Sequence, residues 1–276
     1  MLSSRIVYFL IKINFVGRMK ISFSKYQGTG NDFVMLNNID GFYDDLTLEQ
    51  IKFLCNRRMG VGADGLIKIS PHVDYDFEVE YYNADGSQSF CGNGARCSVA
   101  FAKYLKLIEE TACFKAIDGP HTARITDDIV HLDMLPVTFL ERMDMDYVID
   151  TGSPHYVRFV DDKNELDIVD FGQSIRYSPK FKADGINVNT VLEFDDSSIE
   201  VATYERGVED ETLSCGTGVT ACVLAFMDKY KFCDRTVSVS TKGGQLSVYA
   251  RRDAESFSEI ILAGPAKKVF DGSVEL

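Results

Sequence analysis

The sequence predicts a mixed α/β (α+β) fold built as two similar halves, and three observations carry that expectation. The chain's 276 residues suit two domains of about 130 residues better than one. Short runs of alternating apolar and polar residues, punctuated by Gly, Asn and Asp turns, recur along the chain and read as strands. A cysteine followed by Gly-x-Gly opens a small-residue helix twice, at Cys91-Gly92-Asn93-Gly94 and at Cys215-Gly216-Thr217-Gly218, and internal duplication is the economical explanation. No Pro/Ser-rich linker separates the halves. The boundary falls loosely within 135–145, which divides the chain into 19–140 and 141–276.

In order along the chain, Lys20 to Lys25 and Phe33 to Ile39 are expected as strands around the turn from Gly28 to Asp32. Residues 47–57 read as a helix. Thr47 with Gln50 three positions on forms a capping box, and Leu48, Ile51, Phe53, Leu54 and Cys55 supply a buried face. Leu66 to Ile69 reads as strand, as does the alternation of Phe77, Val79 and Tyr81, which runs into the turn Asn83-Ala84-Asp85-Gly86. The helix after Cys91 packs through Val99, Ala100, Ala102 and Leu105, and residues 111–135 return to short strands. The second half repeats the plan: strands near 146–160, a helix near 164–177, strands near 186–205, the helix after Cys215, and strands to about 263. Residues 1–18 stand apart. Their apolar run, Ile6 to Leu10, is broken by Lys12 and falls far short of the ~20 residues that span a bilayer. It also lacks the long apolar core and small-residue cleavage site of a secretory signal. Met19 is followed at once by strand pattern, so 1–18 are expected to be an extension outside the fold.

Composition excludes several classes of function. A net charge of −13 argues against nucleic acid, which needs clustered Lys and Arg on a basic face. Seven cysteines without C-x-x-C spacing, in a chain this long, fit a reduced, cytoplasmic setting. The four histidines, at 72, 121, 131 and 155, show no ligand spacing, so no metal is expected. Gly60-Val61-Gly62-Ala63-Asp64-Gly65 matches the dinucleotide pattern, but a helix precedes it and a strand follows, the reverse of what that motif requires. Gly216-x-Gly218-x-x-Ala221 does open a helix, yet residues 209–214 before it read as acidic turn rather than apolar strand.

The paired cysteines point to chemistry. A helix N-terminus presents unpaired N–H groups and about half a positive charge, which stabilises a thiolate and can hold a carboxylate. Two such starts on opposite walls of one cleft could hold a substrate carboxylate while each thiol faces one side of its α-carbon. One sulfur removes the α-proton, the other supplies a proton, and the centre inverts. Preorganised N–H dipoles would stabilise the developing enediolate. Cys55, Cys97, Cys113, Cys222 and Cys233 read instead as buried structural cysteines.

Several motifs resemble those of diaminopimelate epimerases: Gly28-Thr29-Gly30-Asn31-Asp32-Phe33, Asn83-Ala84-Asp85-Gly86-Ser87, Cys91-Gly92-Asn93-Gly94-Ala95-Arg96-Cys97, Tyr204-Glu205-Arg206-Gly207 and Glu211-Thr212-x-x-Cys215-Gly216-Thr217-Gly218. They occur in family order and span nearly the whole chain from Met19. The resemblance implies two pseudo-symmetric domains, each a curled, mostly antiparallel sheet around a central helix, with the active site between them. It implies interconversion of LL- and meso-diaminopimelate in lysine and peptidoglycan precursor synthesis, without pyridoxal phosphate, metal or other cofactor. By motif, Cys91 and Cys215 become the acid–base pair, and Gly92, Asn93, Gly216 and Thr217 bind the reacting carboxylate. Asn31, Asn83, Asn187, Glu205 and Arg206 match residues lining the substrate site. Arg206 can pair a carboxylate bidentately and Glu205 can accept from an ammonium. Turn chemistry accounts equally well for Asn31 and Asn83, and a solvated strand end for Glu205 and Arg206. His155 matches a position near the cysteines. Ser153 departs from the pattern, since many members carry Asn there, which puts the distal contact in question. The expected partner is a small amino acid, with no nucleic acid and no membrane, and the resemblance is compatible with a homodimer.

Three other readings compete. Proline and hydroxyproline racemases share paired thiols, and the Asn and Arg set for a distal amino acid distinguishes them. Phenazine-type isomerases share the expected fold without the cysteine pair. A non-catalytic amino-acid binding module would need no thiols at its helix starts.

Overall fold

In the computed structural model, which describes residues 19–162 and 166–276, a two-residue turn at Thr29 and Gly30 joins β1 (Lys20–Gly28) to β2 (Asn31–Asn37). Both turn residues have positive φ, 50° and 88°, the geometry a tight hairpin demands and the reason a glycine stands second. The expectation for residues 1–18 lies outside the described residues. From β2 the chain crosses through α1 (Leu48–Cys55) to β3 (Gly65–Ser70), turns back as β4 (Phe77–Asn83), then crosses through α2 (Gly92–Tyr104) to β5 (Thr111–Ala116). A meander of β6 (Gly119–Thr126) and β7 (Ile129–Asp133) completes the first half. The β2–β3 and β4–β5 pairings are parallel, as a crossover helix requires, and the rest of this half is antiparallel.

The second half repeats the pairings. After β8 (Leu140–Met143), β9 (Asp146–Asp150) pairs antiparallel with β10 (Pro154–Val160). The chain crosses through α3 (Ile168–Arg176) to β11 (Asn187–Glu193), which lies parallel to β10, and returns as β12 (Ser198–Glu205). Short β13 (Asp210–Thr212) folds back on β12, and α4 (Gly216–Tyr230) crosses to β14 (Asp234–Thr241), parallel to β12. β15 (Gly244–Asp253) and β16 (Ser256–Pro265) form the meander, and β17 (Lys267–Glu275) ends the described chain. Two pairings join the halves, β7 with β16 and β17 with β1, while β8 pairs with β9 next to the junction. The first half's opening strand thus lies beside the second half's last strand.

The two central helices are buried almost all round, as apolar helices inside curled sheets must be. α2 packs with Phe33, Met35, Ile67, Phe77, Phe114 and Leu132, and α4 with Val157, Val191, Val201, Val237, Val248 and Leu262. α1 and α3 cover the outer faces, α1 burying Ile51, Leu54 and Cys55 against the sheet.

Several local expectations are corrected. The helix expected at 47–57 is Leu48–Cys55, because Thr47 is its N-cap and Asn56 leaves helical geometry at ψ 119°. Leu48 and Phe53 lie outside the buried face, 48% and 37% exposed. α3 starts at Ile168 because the Asp167 carboxylate caps the N–H groups of Val169 and Asp170. The acidic stretch expected as turn contains β13, and the strands run beyond 263 through β17. Cys55, Cys97 and Cys222 are buried as expected, but Cys113 is only half-buried and Cys233 is exposed. No described helix is long and apolar enough to cross a membrane.

Candidate active site

Cys91 and Cys215 are the N-cap residues of α2 and α4, both with extended backbone (φ −135° and −120°). At these caps the first helical N–H groups have no intrahelical partner and point out of the helix. The two helix starts meet. A Cβ on Gly92 would lie 3.9 Å from the Gly216 Cα, and one on Gly216 only 2.9 Å from Leu262 and 3.6 Å from Asn93 Oδ1. Glycine is what permits this approach of two backbones.

Asn93 stitches the halves together. Its Nδ2 donates to the Ser214 carbonyl (3.0 Å) and approaches Asn31 Oδ1 (3.4 Å), and its Oδ1 accepts from Arg96 Nη2 (3.0 Å). The Thr29 hydroxyl adds a bond to Ser214 Oγ at 3.0 Å. Arg96 is fully buried here. Its Nη2 also reaches Thr29 Oγ1 at 3.2 Å, while Nε and Nη1 have no partner. No carboxylate among the described residues forms an ion pair with it, and burial pushes its ionisation down.

Around Cys91, Asn31 is held by Asp64: Nδ2 donates to the Asp64 carboxylate at 2.7 Å, and Oδ1 lies 3.6 Å from the Cys91 sulfur. The Gly94 N–H donates to that sulfur at 3.4 Å. Asp64 and Asp32 share Arg57, and Lys25 pairs with Asp32 at 2.7 Å. Around Cys215, the sulfur lies 3.4 Å from Thr217 Oγ1, which meets His155 Nε2 at 2.9 Å and Ser153 Oγ at 3.2 Å. Asn187 donates to Ser153 Oγ at 3.2 Å and accepts from the Arg206 N–H at 2.9 Å.

Burial pushes both thiols up, Cys91 to about 11 and Cys215 to about 12, opposed at Cys91 by the Gly94 and Asn93 N–H groups and at Cys215 by the Thr217 hydroxyl and Gly218 N–H. Glu205 raises both thiols further, and burial raises its own carboxyl. Burial, with Arg206 nearby, lowers His155 to about 3, so its ring is neutral. The structure thus brings Asn31, Cys91, Gly92 and Asn93 together with Gly216 and Ser214, and groups Cys215 with Thr217, Ser153, His155, Asn187 and the Arg206 backbone. Two expected residues sit differently. The Asn83 amide is engaged by its own turn, with Ser87 and Ser89, and by the Tyr81 hydroxyl at 2.7 Å. The exposed Arg206 guanidinium donates to the Asp184 carbonyl at 2.8 Å. Asp64, Arg96 and Asn189 belong to the same networks but were not singled out from sequence. Arg96 carried a signal, being a charged residue in the first turns of an otherwise small, apolar helix. Among the described residues no group of three or more His, Cys, Asp or Glu side chains could hold a metal ion.

Solved structures share this fold. A phenazine biosynthesis protein of the PhzF family from Bacillus anthracis superposes with a TM-score of 0.72 at 13% identity, covering 94% of this chain and all of that one. A hydroxyproline epimerase from Agrobacterium vitis with bound trans-4-hydroxy-L-proline gives 0.67 at 16% identity, covering 94% of each chain. At these identities the likeness concerns the fold alone. Sequence comparison goes further. The chain is 43% identical over 252 residues to a diaminopimelate epimerase from Flavobacterium psychrophilum, covering 91% of this chain and 98% of the relative. It is 37% identical over 258 residues to one from Chlorobaculum tepidum, covering 90% and 99%. Fold and relatives together make this chain an isomerase of the epimerase type. A family model described as diaminopimelate epimerase matches residues 23–139 and 147–269, and the chain belongs to that family.

Proposed function

We propose that this enzyme interconverts LL- and meso-diaminopimelate by two-base proton transfer at one α-carbon, in lysine and peptidoglycan precursor synthesis. The observation that carries the reading is the meeting of two cysteine-capped helix starts, one from each half. The substrate's reacting carboxylate binds the N–H groups of Gly92, Asn93, Gly216 and Thr217, where both helix dipoles favour negative charge. The thiolate on one face takes the α-proton, and the electron pair left on carbon spreads into that carboxylate as an enediolate held by the same N–H groups. The thiol on the opposite face gives its proton to carbon, so the pair ends with its protonation states exchanged.

Glu205 takes an ammonium, whose positive charge offsets the carboxylate that otherwise opposes thiol ionisation. Asn31, Asn83, Asn187 and Arg206 recognise the remaining polar groups, with Ser153 and His155 supporting Thr217. Incubation of purified, freshly reduced protein with LL-diaminopimelate, followed by chiral chromatography, tests the reading. Appearance of the meso isomer, absent with Cys91→Ala and Cys215→Ala, is expected. No meso product, together with racemisation of proline or hydroxyproline, would replace the substrate assignment.

A further inference from the structure

The two sulfurs sit in hydrogen-bond networks of opposite direction. Asn189 is fully buried, and its amide orientation is set by two partners. Nδ2 donates to the Tyr156 carbonyl at 2.9 Å, which can only accept, and Oδ1 accepts from Thr203 Oγ1 at 2.9 Å. The same Nδ2 lies 3.2 Å from His155 Nδ1, so that ring nitrogen must be the acceptor. In a neutral imidazole the proton then sits on Nε2, aimed at Thr217 Oγ1 at 2.9 Å. Ser153 Oγ accepts from Asn187 and also faces the His155 Nε2–H at 3.0 Å, so the imidazole proton is shared between Ser153 and Thr217, and the Ser153 proton turns to Thr217 Oγ1 at 3.2 Å. With both lone pairs engaged, the Thr217 hydroxyl meets Cys215 only as a donor.

Backbone N–H groups favour ionisation at both sulfurs, Gly94 and Asn93 at Cys91 and Gly218 at Cys215, but the side-chain contact at Cys91 runs the other way. The Asp64 carboxylate accepts from Asn31 Nδ2, which leaves Asn31 Oδ1, an acceptor only, facing the sulfur. That contact suits an S–H and disfavours a thiolate. Resting on the acid–base reading above, we propose that these networks place the negative charge of the singly ionised pair on Cys215 and the proton on Cys91, with Asn189 and Asp64 as the positioning residues that set the two directions.

The charged and titratable surroundings do not impose this order. Glu205 from β12 opposes ionisation of both sulfurs, and each thiol opposes the other. Arg96 on α2 favours ionisation of Cys91, while Cys97 and Tyr81 also lie within electrostatic reach of Cys91, Cys222 of Cys215, and Arg206 of His155. Cys91 is also the more exposed of the pair, and burial alone would ionise it first. A side-chain donor at Cys215, where Cys91 meets a side-chain acceptor, is worth about ten- to a hundredfold in ionisation, enough to reverse that order. The two sites titrate as a coupled pair, and the first step belongs mainly to Cys215.

The order is measurable without substrate. Reduced protein is pulsed with iodoacetamide from about pH 7 to about pH 12, a range that reaches from the ordinary thiol value to the raised values of these buried thiols, and labelling of the Cys91 and Cys215 peptides is quantified by mass spectrometry. The pH midpoint of each rate, unlike its amplitude, does not depend on access to the sulfur. Wild-type protein is expected to give a lower midpoint for Cys215 than for Cys91. Asn189→Leu frees the imidazole tautomer and should slow Cys215 labelling at neutral pH about tenfold, with Cys91 labelling unchanged or faster because the pair is coupled. A Cys91 midpoint at or below that of Cys215 in the wild type overturns the proposal, whether or not the variant folds. An unchanged Cys215 midpoint in folded Asn189→Leu removes Asn189 from it. Epimerisation measured on the same preparation separates the two ideas, since absent epimerisation counts against the substrate reading and inverted midpoints count only against the charge placement.

Discussion

Replacing Arg96 by Met should separate function from stability. The guanidinium is fully buried between the two helix starts, with Nε and Nη1 unpartnered and no ion pair among the described residues. Removing a buried charge that lacks a counter-carboxylate is neutral to favourable for folding, often by about 1–4 kcal/mol when the new side chain fills the space. Against that stand the acceptors left behind on Asn93 and Thr29, at about 1 kcal/mol each. The balance lies near zero, so Tm should stay within a few degrees. Activity should respond differently. Nη1 comes within 3.7 Å of the Cβ position of Gly216. A carboxylate on the N–H groups beyond would lie roughly 7 Å away, where an effective dielectric of about 20 gives about 2.4 kcal/mol between unit charges. That corresponds to roughly a fiftyfold fall in kcat/KM. The assay is initial-rate epimerisation alongside calorimetric unfolding of Arg96→Met. A kcat/KM within about threefold of wild type, or a fall in Tm above about ten degrees with activity intact, would show that Arg96 only packs the interface.

Other expectations follow from single contacts. Gly218→Ala places a Cβ 2.6 Å from Asn189 Oδ1 and 3.2 Å from the His155 ring; overpacking there should cost about 1–3 kcal/mol in urea unfolding and lower kcat. Burial raises Asp32, but hydrogen bonds from Arg57 and Lys25 overcome this and hold it at about 2 against an ordinary 3.8. A depressed folded-state carboxyl stabilises above its unfolded value and loses that contribution as pH falls, so about 2 kcal/mol should disappear between pH 4 and 2. Asp32→Asn should lack this loss in unfolding curves across that range. Thr47→Ala removes the α1 cap bond that the Thr47 hydroxyl accepts from the Gln50 N–H and should cost about 1 kcal/mol without changing kcat/KM.

Local chemistry was the most legible part of the chain. The Thr47–Gln50 capping box, the Gly-rich turns and the two cysteine-led helix starts are each written within a few residues, and each is found in place. What escaped reading depends on distant partners. β17 is a strand because β1, at the other end of the described chain, pairs with it, and its exposed, polar stretch shows little alternation of its own. β13 likewise exists as a partner of β12 rather than through its acidic residues. Cys233 and Cys91 are both cysteines, yet one is exposed and the other caps a buried helix, a difference set by tertiary packing. What distinguishes Asp64, Asn189 and Arg96 is the direction of their hydrogen bonds or the lack of a counter-charge. Neither property is visible until the side chains are placed.

In the proposed mechanism two thiols, one on each face of the α-carbon, divide the proton transfers. The direct test is epimerisation of LL-diaminopimelate in D2O, stopped at low conversion and read by NMR and mass spectrometry. Thiols exchange with solvent, so two bases predict meso product carrying deuterium at the inverted carbon while the remaining LL substrate keeps its protium. Meso product that retains the substrate's own proton would show one base serving both faces and contradict the account.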